Sequence, residues 1–276
     1  MTNDASNTIG TLLSQATQGL EMAGVETARL DCLVLLEDIL KLDRAHILAH
    51  PEYQLTPFQI VALHKRVKRR TRHIPLAYIR GKAMFYGREL TVNKRVLIPR
   101  PETEAMIDLL KTIPLPQDAR LADIGTGSGC IGVTAALEIP GSTIHLYDID
   151  PDALAVANHN ARKHGIRAQY YPHDLLEHNF GPYDVVLANL PYIPDNYPIN
   201  KAARHEPSLA LFAGTDGLEL YHRFWSQLGS HYQPPAHVLT EALPEQHASL
   251  THLAKNTGYR LARINGFVQH FILKEQ

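Results

Sequence analysis

Residues 120–139, "RLADIGTGSGCIGVTAALEI", decide the fold. An apolar run carrying Asp123 gives way to Gly125, Gly127 and Gly129, and then to a helical apolar pattern. This is a strand, a glycine turn and a helix, the opening unit of an open α/β sheet. Glycines let the backbone turn sharply and let a ligand come close. The helix beyond offers free N–H groups and a positive dipole end. Downstream the alternation continues. "STIHLYD", "RAQYYPHD", "YDVVLANL" and "HVLTEAL" read as strands. "PDALAVANHNARKHG", "DGLELYHRFWSQLGSHY" and "EQHASLTHLAKNTG" read as helices. "YRLARIN" and "FVQHFIL" suit a terminal hairpin. The pattern predicts a Rossmann-like parallel sheet covered on both faces.

Upstream the period changes. Residues 8–80 show helical spacing and no strand pattern. "TIGTLLSQATQGLEMAG" puts Ile9, Leu12, Leu13, Ala16 and Leu20 on one face, with Gly24 as a stop. "TPFQIVALHKRVKRRTRH" opens with Thr56, Pro57 and Gln59, the residues of a capping box. Its basic run, 65–72, reads either as a solvated helix end or as a docking patch for an acidic partner or RNA. "AMFYGRELTVNKRVLI" predicts a hairpin turning at Asn93-Lys94. The expected organisation is a helical substrate-docking domain over 1–81, a β-hairpin connector over 82–99 and a ligand-binding α/β domain over 100–276.

The net charge of −1 gives no global electrostatic case for nucleic acid or a membrane surface. No apolar run approaches the roughly 20 residues of a membrane span, and "MTNDASNTIG" lacks the apolar core of a signal peptide. Cys32 and Cys130 lie far apart, which suits a reducing cytoplasm. No metal is expected, because the histidines lack ligand spacing and no CxxC occurs.

Two cofactors compete for the glycine loop. NAD sites usually read G-x-G-x-x-G, whereas this loop reads D-x-G-x-G-x-G, with Thr126 and Ser128 between glycines. The tighter spacing and Asp123 favour S-adenosylmethionine, whose ammonium would attract a carboxylate. The next strand ends at Asp148, placed to accept ribose hydroxyls. Asp174 ends the third strand and could meet the adenine amino group. The fourth strand finishes on "NLPY", Asn189 to Tyr192. The Asn189 side-chain oxygen and the Leu190 carbonyl, extended because Pro191 follows, make two acceptors aimed at an –NH₂ group. Tyr192 would stack on that flat group. A planar amide nitrogen is a poor nucleophile. Two acceptors pulling on its hydrogens favour a pyramidal nitrogen with a free lone pair.

Several segments, in order, resemble the release-factor glutamine N5-methyltransferases (the PrmC/HemK family): "PLAYIRGKAMFYG", "VLIPRPETE", "DIGTGSGCIG", "YDIDPDALAVANHNA", "YDVVLANLPYI" and "EPSLALFAGTDGLELYHRF". The resemblance implies a class I methyltransferase sheet with a helical N-terminal domain that engages release factors. It implies methyl transfer to the glutamine of their Gly-Gly-Gln motif. Gly125 to Gly129 and Asp148 would hold the donor. Asn189, Leu190, Pro191 and Tyr192 would hold the glutamine, and Asp174-Leu175 would lie near adenine. Three departures stand out. Leu190 replaces the first proline of the usual NPPY, Leu243 replaces a glycine in the usual E-h-G-x-x-Q, and the tail lacks the family's charged ending. Rival readings are an amino-methyltransferase of adenine or cytosine, one acting on a ribosomal-protein glutamine, and a cofactor-binding protein without catalysis.

Overall fold

The computed structural model describes residues 7–177, 181–230 and 233–274. Helical periodicity at the start becomes α1 (Ile9–Met22), capped by Thr8, with Ile9, Leu12, Leu13, Ala16 and Leu20 buried. It packs with α2 (Ala28–Leu40), the short α3 (Arg44–Ala49), α4 (Pro57–Arg70) and α5 (Leu76–Arg80) around one apolar cluster. The capping box at α4 is present in full: Gln59 N donates to Thr56 Oγ1, and Thr56 N donates to Gln59 Oε1 at 2.9 Å. Such a cap is worth about 1 kcal/mol. Part of the basic run is absorbed inside this unit. Arg70 Nε donates to the buried Asp31 at 2.6 Å, and Arg69 reaches the Tyr78 carbonyl.

Contacts divide the chain into this helical unit, which runs to Gly81 and includes Asn200–His205, and a larger unit of Lys82–Ile199 with Glu206–Gln276. The larger unit begins with β1 (Lys82–Phe85) and β2 (Arg88–Thr91). The hairpin turns at Tyr86-Gly87, not at the expected Asn93-Lys94. Tyr86 and Gly87 have φ of 49° and 72°, the left-handed pair that a two-residue hairpin turn demands. Asn93 instead closes a local turn, accepting from Arg95 N through its side chain. Phe85 and Leu90 pack into the core with Met106 and Ile107, and Asn160 clasps the Thr91 backbone from both sides.

Seven strands follow: β3 (Arg120–Ile124), β4 (Thr143–Tyr147), β5 (Ala168–Tyr171), β6 (Val185–Ala188), β7 (His237–Glu241), β8 (Tyr259–Asn265) and β9 (Val268–Leu273). They form one sheet in the order β5-β4-β3-β6-β7-β9-β8, in which the strands run parallel except for β9, antiparallel to both its neighbours β7 and β8. The alternating faces are visible along β6. Val185 and Leu187 enter one core with α6 (Glu104–Leu110) and α7 (Cys130–Glu138). Val186 and Ala188 enter the other with α9 (Glu219–Gly229) and α10 (His247–Asn256). α8 (Pro151–Lys163) joins the α6–α7 face through Ala157. α9 buries Tyr221, Phe224, Trp225 and Leu228, a helical stripe. Residues 231–232 of its expected extent lie outside the described residues. β5 stops at Tyr171, since Pro172 cannot donate to a ladder, so Asp174 lies in the loop beyond the strand.

Candidate active site

The sheet order reverses between β3 and β6, and ligands of open α/β sheets bind at such switch points. Here the C-terminal ends of β3, β4, β5 and β6 surround a cavity of about 230 Å³. Its walls carry Gly125, Thr126, Gly127 and Ser128 from the first loop, and Asp148 from beyond β4. His173, Asp174 and Leu175 follow β5, and Asn189, Leu190 and Pro191 follow β6. Asp123, Gly129 and Tyr192 belong to the same corner but do not line the cavity.

Asp123 departs most from expectation. Its carboxylate is fully buried and turned into the loop, accepting from Thr126 Oγ1 at 2.6 Å and Gly132 N at 2.9 Å. Burial raises its pKa to about 6, against the lowering pull of those two donors. Its Oδ2 ties the glycine turn to the start of α7, and its buried Oδ1 meets no donor among the described residues. Asp148 braces the loop from the other side. Gly127 N donates to one carboxylate oxygen at 2.8 Å and Asp150 N to the other at 2.9 Å. Each oxygen keeps a lone pair for a hydroxyl, and burial shifts this carboxyl upward too. Asp174 is engaged by Arg223, whose Nη2 donates to it at 2.6 Å. Leu175, at φ 56°, turns its buried side chain into the wall. The wall chemistry fits S-adenosylmethionine: a carboxylate for a diol, apolar Ile149 and Leu175 for a purine face, and glycine backbone at positive φ for close approach.

β6 ends at Ala188, so Asn189 is the first residue past the strand. The Asn189 Nδ2 donates to Thr103 Oγ1 at 3.2 Å, which leaves the side-chain oxygen on the other arm of the planar amide. Thr103 is buried and sits in "VLIPRPETE". Behind both lies Glu241, the fully buried last residue of β7. Its Oε1 accepts from Tyr192 Oη at 3.0 Å. Oε2 has no hydrogen-bond partner among the described residues. Burial pushes the Glu241 pKa up, while Thr103, Tyr192 and Asn189 pull it down. Tyr192 is therefore a tether, its phenol pushed above its ordinary range by burial and by the Glu241 charge.

Leu190 is buried, and its N–H donates to Tyr221 Oη at 3.4 Å. That phenol also lies 2.6 Å from the Glu241 carbonyl and 3.1 Å from the Ala188 carbonyl. A Cβ built on Gly125 would come within 3.1 Å of Leu190 Cδ2, so the leucine packs directly on the glycine turn. No donor among the described residues satisfies the Leu190 carbonyl. Gln246 fixes the far end of the tetrapeptide, donating to the Tyr192 and Asp216 carbonyls at 2.9 Å each. Gly217, at φ 75°, allows this approach. A Cβ there would lie 2.2 Å from the Tyr192 oxygen. Leu243 sits at φ −60°, so this backbone has no need of a glycine. The "VLIPRPETE" and "EPSLAL" segments meet through buried Glu206, which accepts from Ile98 N at 3.0 Å and Arg100 Nη2 at 2.7 Å.

Fold and site together define an S-adenosylmethionine-dependent methyltransferase. Two family profiles match, the PrmC N-terminal domain over residues 11–81 and the methyltransferase small domain over 103–205. A release factor glutamine methyltransferase of Coxiella burnetii is 38% identical over 240 residues, covering 85% of this chain and 86% of that protein. One from Deinococcus radiodurans is 31% identical over 252 residues, covering 90% and 91%. The hMettl16 catalytic domain, solved with the MAT2A 3'UTR hairpin 6, has the same fold. Its TM-score is 0.52 at 16% identity, covering 66% of this chain and 73% of that one. The chain belongs to the release factor glutamine methyltransferase family. Among the described residues no helix is long and apolar enough to cross a membrane.

Proposed function

We propose that this enzyme methylates the side-chain nitrogen of the glutamine in the Gly-Gly-Gln motif of peptide-chain release factors, in the cytoplasm, and forms no stable complex with nucleic acid. One observation carries the reading. The Asn189 amide is anchored through its nitrogen, and the neighbouring Leu190 carbonyl is unclaimed, so two acceptors stand at the cavity wall. Such a pair suits an –NH₂ group, whose two hydrogens it can accept, and has nothing to offer a carboxylate.

In this reading Gly125, Thr126, Gly127, Ser128 and Gly129 shape the donor cradle and Asp123 holds its turn. Asp148 accepts from the ribose, and Asp174 and Leu175 border the adenine. The bound donor supplies an electrophilic sulfonium methyl. Asn189 Oδ1 and the Leu190 carbonyl accept from the substrate amide hydrogens, lowering delocalisation of the nitrogen lone pair. Pro191 keeps the carbonyl extended, and Tyr192, held by Glu241, anchors the segment that carries the two acceptors. Holding nitrogen and methyl in line can supply roughly 7–11 kcal/mol. The domain division at residues 81 and 99 goes with this reading, the helical part serving to dock the release factor.

Incubation with methyl-labelled donor and purified release factor or total RNA tests it. We expect label on the release factor, and none when the target glutamine is replaced by glutamate, because that carboxylate has no N–H for the two acceptors. Label on RNA with none on protein would overturn the proposal in favour of base methylation.

A further inference from the structure

We propose that Arg223 is a positioning residue: it holds Asp174 so that the free oxygen of that carboxylate accepts from the 6-amino group of the methyl donor's adenine, and so sets the choice of base. The inference rests on the placing of Asp174 beside the adenine in the reading above. Asp174 lies beyond β5 on a loop, where a lone carboxylate would turn about two side-chain bonds. α9 grips that loop at two points. Arg223 Nη2 donates to Asp174 Oδ2 at 2.6 Å, and Leu176 N donates to Gln227 Oε1 at 2.9 Å. Glu177 lies further off, 3.9 Å from the same arginine nitrogen. Residues 223 and 227 stand one turn apart and share a face of the helix. The helix itself is fixed, because Tyr221, Phe224, Trp225 and Leu228 are buried in the core that also takes Leu175 and Leu176. Leu175 sits between the two clasps at φ 56°, a conformation that a leucine keeps only when its surroundings impose it. Asp174 and Arg223 both line the cavity. With Oδ2 taken by Arg223, Oδ1 has no hydrogen-bond partner among the described residues and is the oxygen left for a ligand. An ionised carboxylate can only accept. A base that brings N–H to that oxygen is held, and a base that brings a carbonyl oxygen to the same place is repelled.

Calorimetry on the full chain with S-adenosylhomocysteine and S-inosylhomocysteine tests the assignment, since the second ligand carries a carbonyl oxygen in place of the 6-amino group. The wild-type chain should bind the adenine ligand about tenfold more tightly, the scale of one hydrogen bond to a charged group. Arg223→Met keeps the length of the stem and removes the donors. Once released, Asp174 no longer points one way, and the ratio between the two ligands should shrink to about threefold or less, most of that hydrogen bond being lost. An unchanged ratio would overturn the assignment, even if both affinities fell together, because a merely loosened wall weakens binding without regard to the base. If Arg223→Met does not fold, Arg223→Ser takes its place. Asp174→Ala, measured alongside, separates the two claims. Should that variant keep the wild-type ratio, or should the wild type show no preference, the placing of Asp174 at the adenine fails. Should Asp174→Ala lose the ratio while Arg223→Met keeps it, the Arg223 assignment alone fails.

Discussion

The two halves of the cavity are built on different principles. The glycine turn after β3 is held by carboxylates close in sequence and adjacent in the sheet. Asp123 clamps Thr126 and Gly132, and Asp148 clamps Gly127. The acceptor corner after β6 is held by side chains from four remote places: Thr103, Tyr221, Glu241 and Gln246. The first half is a local fold of the backbone around buried acids. The second is a junction whose geometry exists only when the whole sheet is assembled. Damage to the polar groups of the junction should therefore strike catalysis, and damage to the buried supports of the turn should show first in stability.

Four measurements can break or sharpen that contrast. Asn189→Ala should lower the methylation rate by about 10²–10³, the cost of one positioned polar group in an active site. Donor affinity by calorimetry should be nearly unchanged, and a large loss of donor affinity would blur the division. Leu190→Ala keeps the acceptor carbonyl but empties buried volume against Gly125. It should cost about 2–5 kcal/mol in denaturant unfolding, with a smaller effect on kcat than Asn189→Ala. Gly217→Ala forces a Cβ against the Tyr192 carbonyl at positive φ, and should cost about 1–3 kcal/mol. Because Tyr192 moves, release-factor KM should rise while donor affinity holds. Asp123→Asn should have the smallest effect on donor affinity, within about threefold, since its carboxylate serves the loop; a drop of tenfold, one pKa unit's worth of free energy, would restore a direct electrostatic role.

The same variant carries a pH signature. The Asp123 carboxyl titrates at about 6 in the fold against 3.8 in the unfolded chain. Its contribution to stability is thus fully present below pH 3.8 and is lost as pH rises through 6. Asp123→Asn should flatten the decline in stability across that window in urea titrations. A slope identical to wild type would show that Asp123 is not the group titrating there.

This division also explains what the sequence made legible. The strand, the glycine turn and the helix over 120–139 could be read because their cause is local, and the stripe at Ile9, Leu12, Leu13, Ala16 and Leu20 for the same reason. The proposed acceptors, Asn189 and Leu190, were named from the sequence, but nothing in "NLPY" points to Thr103 as the partner of Asn189 or to Glu241 as the partner of Tyr192. The signal lay in the remote segments "VLIPRPETE" and "EALPEQ", in which Thr103, Glu241 and Gln246 are buried. Asp123 was assigned to the ligand because an acid before a glycine turn suggests charge pairing. One of its oxygens also braces the loop through Thr126 and Gly132, a use that the motif alone did not announce. The hairpin was misplaced at Asn93-Lys94 because Asn at a turn is ambiguous between closing a hairpin and an Asx turn. The tighter left-handed demand fell on Tyr86-Gly87.

The strand order has a consequence for biosynthesis. β9 lies between β7 and β8, and Val268 is the register partner of Glu241. A nascent polypeptide not yet past β9 carries β7 with one flank unpaired, an invitation to wrong pairing. The corner at Glu241 therefore gains its second flank only after a later stretch of chain has turned back and run against it in the opposite sense.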